Sequence, residues 1–262
     1  MSDSYIELSN ITVKRSGRII LNVDNFKAAS SGEFINLIGT NGAGKTTLLC
    51  VCCGLIKPST GTVKINGIDL ASLGSWQKVD IRKAIGYVPQ AAEYNAELPF
   101  TVREVAAMGR TSAKPMCAAL NREDYEIIDS WLETLELTNQ KNQTFRSLSG
   151  GERQKVLIAR AMAQKPKVLM LDEPGANLDF KWKRRILDCI EKLHQRTAIT
   201  ILLISHDIDF LPHNADRTVL MHDGRILADG KVKEIFESDV FRKVYGCKFK
   251  VSDSGGRYTP VF

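Results

Sequence analysis

The residues best suited to chemistry are Gly39-Thr40-Asn41-Gly42-Ala43-Gly44-Lys45-Thr46, a complete G-x-x-x-x-G-K-[ST] stretch. Glycines let the backbone curl until several N–H groups face one anion, and a helix starting here adds the partial positive charge of its amino terminus. The chemistry implied is the cradling of phosphates, with Lys45 reaching the β- and γ-phosphates and Thr46 binding magnesium. A glycine-rich turn without a ligand arises by chance in about one chain in a hundred of this length. The flanks therefore decide, and both are right: the apolar run Phe34 to Ile38 precedes the stretch and the helical pattern Thr47-Leu48-Leu49 follows it.

Two further groups fit the same chemistry. Val168 to Leu171 is an apolar run ending in Asp172-Glu173-Pro174. Adjacent carboxylates at a strand tip point different ways and can divide two roles, Asp172 toward magnesium and Glu173 as the general base that polarises water. The run Ile199 to Ile204 ends in Ser205-His206-Asp207, where His206 stands to hydrogen-bond a γ-phosphate and orient Glu173. Separately, Leu148-Ser149-Gly150-Gly151-Glu152 opens a helical stretch through Ile158, Ala161 and Met162. Ser149 and Glu152 make an S-x-x-E capping box. Capping does not account for two glycines in a first turn, each costing roughly 1 kcal/mol against alanine. They suggest a backbone that something approaches closely, and an anion suits a helix amino terminus carrying a serine hydroxyl.

These groups need elements to hold them. Continuous apolar strands alternating with helices mark a parallel sheet covered on both faces, and ligands then gather at the carboxyl ends of its strands. The ends at Gly39, Asp172 and Ser205 are accordingly expected to meet. Residues 6 to 13 alternate apolar and polar with one slip, and Thr62 to Ile65 alternates before Asn66-Gly67, so both read as half-buried antiparallel strands in a small β-layer. Between Thr101 and Phe145 the pattern turns helical. Thr101-Val102-Arg103-Glu104 is a capping box, and Asn121 caps a second helix with an apolar face of Ile128, Trp131, Leu132 and Leu135. Asp223-Gly224 between Val219 to Met221 and Ile226 to Ala228 predicts a hairpin with a type I′ turn. From Lys231 two short helices end at Gly246, and the glycine-rich end beyond is unassigned.

Composition excludes more than it selects. The chain has 262 residues, 44% hydrophobic and 25% charged, enough for a sizeable core, and no apolar run of the roughly 18 to 20 residues a membrane-spanning helix needs. Its start lacks the basic-then-apolar order of a secretory signal, and six cysteines show no paired zinc spacing, so reduced, packed thiols in the cytoplasm are expected. The net charge of +6 suits acidic ligands without choosing among them. The densest basic run, Lys181 to Arg185, would wrap around a helix without the interleaved aromatics of a nucleic-acid footprint, so a solvated face and no nucleic-acid partner are expected.

Taken in order, Gly39 to Thr46, Gln90 within Tyr87-Val88-Pro89-Gln90, Leu148 to Glu152, Asp172-Glu173-Pro174, Asn177-Leu178-Asp179 and His206 resemble the nucleotide-binding domain of ATP-binding cassette proteins over about residues 5 to 230. The resemblance implies an α/β fold: a P-loop NTPase core with a mostly parallel sheet, an amino-terminal antiparallel β-subdomain and a helical insert. It implies one domain over 1–262, with the core in 1–90 and 146–230, the insert in 91–145 and a carboxyl-terminal extension in 231–262. It implies ATP and Mg²⁺ as cofactors, held by Gly39, Thr40, Asn41, Gly42, Ala43, Gly44, Lys45, Thr46 and Thr47, with Thr46, Gln90 and Asp172 toward the metal. Lys45, Gln90, Glu173 and His206 would carry hydrolysis. The resemblance also implies a head-to-tail homodimer in which Ser149, Gly150, Gly151 and Glu152 of one subunit close on the other's ATP, with Asp179 at the seam. Arg15 stands where the family has an aromatic on the adenine, and its flat guanidinium is the candidate to stack there. Gly175 stands where the family usually has Thr or Ser.

The insert's Thr101-Val102-Arg103-Glu104-Val105 and Met108-Gly109-Arg110, and the tail's Val244-Tyr245-Gly246, are similar to ATPase subunits of bacterial importers for iron-siderophore, haem or cobalamin. That implies two permease subunits, an extracytoplasmic substrate-binding protein, and a place on the cytoplasmic face of the membrane. The alternative is a soluble cassette ATPase driving iron–sulfur assembly or DNA repair, although the long coiled coil usual in repair ATPases is missing. A P-loop kinase or GTPase would use one site and no signature segment of the kind that Leu148 to Glu152 resembles.

Overall fold

The computed structural model describes residues 4–90, 99–115, 118–207, 210–212, 215–246, 250–253 and 258–261. Two layers of sheet, with helices against them, form the molecule. The first is a four-stranded antiparallel sheet of β1 (Ser4–Arg15), β2 (Arg18–Ala29), β4 (Thr60–Ile65) and β5 (Ile68–Asp69), in the order β2-β1-β4-β5. The slip in the alternation of β1 has a local cause. Ser9 and Asn10 are both exposed, Asn10 has φ 52°, and the register against β4 shifts between Ser9 and Thr12. This bulge restores the phase, so that Ile6, Leu8, Ile11 and Val13 all face the core.

The second sheet has six strands in the order β10-β9-β3-β8-β7-β6. They are β3 (Phe34–Gly39), β6 (Ile85–Val88), β7 (Val168–Asp172), β8 (Thr200–Ser205), β9 (Arg217–His222) and β10 (Arg225–Gly230). All neighbours are parallel except the β9–β10 hairpin, whose Asp223 (φ 44°) and Gly224 (φ 73°) are the positive pair a type I′ turn requires. Every residue of β3, β7 and β8 is buried. Their side chains divide by parity: Leu169, Leu171, Ile201 and Leu203 face one hydrophobic cluster, Met170, Leu202, Ile204 and Leu37 the other. That double burial is why these strands read as unbroken apolar runs.

Helix α1 (Lys45–Cys52) follows β3, and α2 (Ser75–Arg82), not singled out in the sequence, precedes β6. The helical stretch is observed as α3 (Val102–Ala113) and α4 (Arg122–Thr134), each with its capping box, Thr101 with Glu104 and Asn121 with Asp124. Both pack on α5 (Gly150–Ala163) through Val105, Ala106, Ile128 and Leu132. Gly109 is where α3 crosses α5 most closely: a Cβ there would lie 2.8 Å from the Arg160 carbonyl carbon and nearer still to its oxygen. After α6 (Phe180–Arg196), the tail forms α7 (Val232–Glu237) and α8 (Asp239–Tyr245), ended by Gly246 at φ 71°. The unassigned end contains a hairpin of β11 (Lys250–Asp253) and β12 (Tyr258–Val261). Among the described residues, Cys50, Cys52, Cys53 and Cys189 take part in no disulfide. Burial pushes the Cys189 thiol up to about 11 and the Cys52 thiol well above its usual range.

Candidate functional site

The sheet order sets β3, β8 and β7 side by side, so the three polar strand ends do meet. They open into a cleft of about 400 Å³ lined by Asn41, Gly42, Gln90, Glu173, Ser205 and His206, among others. The glycine loop rounds one side. Gly42 (φ 80°) and Gly44 (φ 93°) take left-handed backbone, and a Cβ on Gly44 would sit 3.0 Å from the Ile20 carbonyl oxygen. The loop is held from behind by the β9–β10 turn: the Gly224 N–H donates to the Ala43 carbonyl (3.1 Å), and the Asn22 N–H to the Gly224 carbonyl (2.6 Å). Asp223-Gly224, read in the sequence only as a hairpin signal, is thus also a buttress for the loop.

Lys45 heads α1 with its ammonium folded back on the loop, donating to the carbonyls of Gly39 (2.8 Å) and Thr40 (3.0 Å). Burial lowers its pKa, opposed by the charges of Glu173 and Asp172. The Thr46 hydroxyl donates to Asp172 Oδ1 at 3.2 Å, and the Tyr87 hydroxyl to Asp172 Oδ2 at 3.4 Å. A hydroxyl and a carboxylate set together beside an ammonium are hard oxygen donors, the kind Mg²⁺ takes from protein while phosphates and water complete its shell. These residues fit the ion.

Glu173 sits in left-handed backbone (φ 48°), uncommon for a residue with a side chain and a form of strain found at functional positions. Both its oxygens are engaged: Oε1 by His206 Nδ1 at 3.1 Å, Oε2 by Gln90 Nε2 at 3.1 Å. Its side chain is 15% exposed and that of His206 46%. The sequence set His206 to orient Glu173 and gave Gln90 only through the resemblance; in the structure both side chains lie on the Glu173 carboxylate.

The remaining expected residues lie elsewhere in the chain. Ser149 caps α5, its hydroxyl donating to Glu152 at 2.7 Å, and this bond with the Ser149 N–H holds the Glu152 carboxyl below its usual range. Asp179 caps α6 by accepting from the Trp182 N–H at 2.8 Å. Arg15 ends β1 beside the Ser16-Gly17 turn, exposed. None of Ser149, Gly150, Gly151, Glu152, Asp179 or Arg15 lines the cleft of their own chain.

Two glycines have reasons that the sequence hides. Gly151 is buried, and a Cβ there would stand 2.7 Å from Trp182 Cγ and closer to two other indole carbons. Its missing side chain is demanded from within this chain, by the tryptophan of α6, and not only by an approaching anion. A Cβ on Gly175 would meet the Phe210 ring at 2.8 Å, so the small residue is matched to the buried phenylalanine. The basic run is a further correction. Lys181 and Arg185 are exposed, but Lys183 turns into the cleft and pairs with Asp207 at 2.6 Å. Sequence reasoning also missed Tyr87 and His222, whose Nδ1 lies 3.5 Å from the Thr40 hydroxyl. A tyrosine and a histidine, each on a neighbouring parallel strand far along the chain, carry no local signal.

The chain is similar to known proteins in sequence and in fold. A family model described as ABC transporter matches residues 22–176. The petrobactin import ATP-binding protein FpuC of Bacillus anthracis is 33% identical over 221 residues, 84% of this chain and 79% of that one. The hemin import ATP-binding protein HmuV of Rhizobium meliloti is 33% identical over 255 residues, covering 94% and 93%. The zinc uptake system ATP-binding protein ZurA of Listeria monocytogenes is 33% identical over 230 residues, covering 87% and 86%. Among solved structures, cbiO1 of Clostridium perfringens, part of the ABC transporter complex cbiONQ, superposes with a TM-score of 0.78 at 27% identity, over 92% of this chain and 94% of that one. Among the described residues no helix is long and apolar enough to cross a membrane. With a phosphate loop, two strand-end carboxylates and a signature segment in one α/β fold, the chain belongs to the ABC transporter family, as an ATPase subunit that couples ATP hydrolysis to transport.

Proposed function

We propose that this ATPase energises an importer of metal chelates, two copies acting as a head-to-tail pair beneath two permease subunits on the cytoplasmic face of the membrane. The observation that carries the hydrolytic part is the clasp on Glu173, held by Gln90 and His206 at 3.1 Å each beside the glycine loop. The loop from Gly39 to Thr46, with Thr47, binds the triphosphate of ATP, and Lys45 leaves the two loop carbonyls for the phosphates. Thr46 and Asp172, with Gln90, would hold Mg²⁺, which would supply neutralisation of phosphate charge. Glu173 accepts a proton from the attacking water, Gln90 orients that water, and His206 keeps the carboxylate aimed while facing the γ-phosphate. Ser149, Gly150 and Gly151 of the second copy cover the same nucleotide, and Asp179 lies at the seam. This needs the Ser149 hydroxyl to turn from Glu152 to phosphate on closure. Arg15, at the exposed end of β1, stacks on the base.

The division into a core of 1–90 and 146–230, an insert of 91–145 and an extension of 231–262 follows the same reading. The insert moves against the core as the pair closes, which transmits the cycle to the permeases, and a substrate-binding protein outside the membrane delivers the cargo. Chelate import is supported by the petrobactin and hemin relatives and by the segments around Thr101 and Gly109. The zinc relative is as similar, which makes a bare divalent cation the second candidate.

Glu173→Gln is expected to slow turnover about 10²–10⁴-fold and trap an ATP-bound dimer, seen by size-exclusion chromatography with light scattering. A monomer at saturating ATP would count against the paired mechanism. Reconstitution with the permeases then separates cargoes: stimulation of ATPase by a binding protein loaded with a ferric chelate is expected, and stimulation only by a zinc-loaded one would redirect the assignment.

A further inference from the structure

We infer that Lys183 is a positioning residue for His206, acting through Asp207, and that the first turn of α6 thereby links the Ser149–Gly151 segment to the hydrolytic end of the cleft. Lys183 Nζ pairs with Asp207 Oδ2 at 2.6 Å, with both side chains about two-thirds buried (31% and 28% exposed). Asp207 follows His206 directly and is fixed on its backbone as well. The Ser205 hydroxyl donates to the Asp207 carbonyl (2.8 Å) and accepts from the Asp207 N–H (3.0 Å), while the Phe210 N–H donates to the same carbonyl (3.0 Å). His206 is therefore the middle residue of a turn fixed at one end by β8 and at the other by α6. From that turn it reaches Glu173.

The same turn of α6 carries contacts in the opposite direction. Asp179 caps it through the Trp182 N–H, and the Trp182 indole lies where any side chain on Gly151 would stand. Residues 182 and 183 are neighbours, so a displacement of α5 that moves Trp182 moves the anchor of Asp207 with it. Together with Trp182, Lys183 couples the helix that begins at Ser149–Gly151 to the residue that aims the general base. Misplacement of a catalytic group by about 1 Å costs up to 10²-fold in rate, so a link of this kind bears on turnover more than on ATP binding. An ordinary ion pair of this exposure contributes little to stability and nothing to rate.

The inference rests on the proposed role of His206, and the experiment separates the two. Steady-state hydrolysis and ATP binding are measured on the full chain for wild type, Lys183→Met, Lys183→Arg, His206→Ala and the double variant Lys183→Met/His206→Ala. Lys183→Met is expected to lower kcat about tenfold with KM and ATP affinity within about twofold and the thermal midpoint close to wild type. Lys183→Arg, which keeps the charge, recovers most of the rate. In the His206→Ala background, Lys183→Met adds no further loss, because the residue acts through the histidine. An unchanged kcat in Lys183→Met, an equal loss in both backgrounds, or a rise in KM with kcat kept would each overturn the inference. If the role of His206 is itself wrong, His206→Ala alone retains full turnover.

Discussion

Replacing Gly151 by alanine separates two explanations of the double glycine by the sign of a stability change. A helix gains roughly 1 kcal/mol when alanine replaces glycine, less in its first turn, so on propensity alone the variant is more stable than wild type. The structure opposes this. An added Cβ would lie 2.7 Å from Trp182 Cγ with two further indole carbons nearer, far inside ordinary carbon–carbon contact, and the Trp182 backbone N–H is held by the Asp179 carboxylate. The indole or the whole of α6 must shift, an overpacking cost of about 1–3 kcal/mol. Net destabilisation of about 1–2 kcal/mol is expected, a fall in midpoint of roughly 2–4 °C per kcal/mol for a chain near this size. Gly150→Ala is the control, since its Cβ meets only Leu178 Cδ2 at 3.1 Å, the end of a flexible side chain, and is expected to be near neutral. Differential scanning calorimetry with and without Trp182→Leu completes the test. In the leucine background Gly151→Ala costs nothing, giving a coupling of about 1–2 kcal/mol. A Gly151→Ala protein as stable as wild type, with Trp182 intact, would refute the packing argument and return the glycine wholly to nucleotide contact.

Three further outcomes are expected. Lys45→Ala loses the charge-assisted contacts to phosphate, each worth about 1.5–3 kcal/mol, so equilibrium dialysis should show ATP affinity falling by at least about tenfold; unchanged affinity would undo the loop assignment. Gly175→Ser places a Cβ 2.8 Å from the Phe210 ring, so kcat and the thermal midpoint both fall, and Phe210→Leu restores them. Asp124 is buried between Lys114 and Arg110, and the Lys114 hydrogen bond, then the Asn121 N–H and the Arg110 contact, hold its carboxyl far below the usual carboxylate range. A carboxyl depressed by folding adds stability that is present above its unfolded pKa of about 4 and is lost as pH falls through and below that value. Asp124→Asn is therefore expected to be less stable than wild type at pH 7 and to lose less on acidification from pH 5 to 3, followed by denaturant midpoints; parallel pH profiles would exclude that role.

The loop from Gly39 to Thr46, the carboxylates Asp172 and Glu173, His206, the capping boxes at Thr101 and Ser149 and the cap at Asn121 were legible in the sequence. Each depends on residues a few positions apart whose geometry the local backbone fixes. The parallel strands were legible too, because burial on both faces leaves an unbroken apolar run. The pairing of His206 with Glu173 was also expected, but tertiary structure decided the other partners and which oxygen each takes. It set Gln90 and His206 on opposite oxygens of Glu173, brought Tyr87 to Asp172, placed the Gly224 turn behind Ala43, and turned Lys183 from a basic run into the cleft. It also found the side chains that fill the space left by Gly151 and Gly175. Such pairings join positions whose separation along the chain bears no fixed relation to their separation in space. A sequence states which residue is small or charged, and only the packed chain states what stands opposite it.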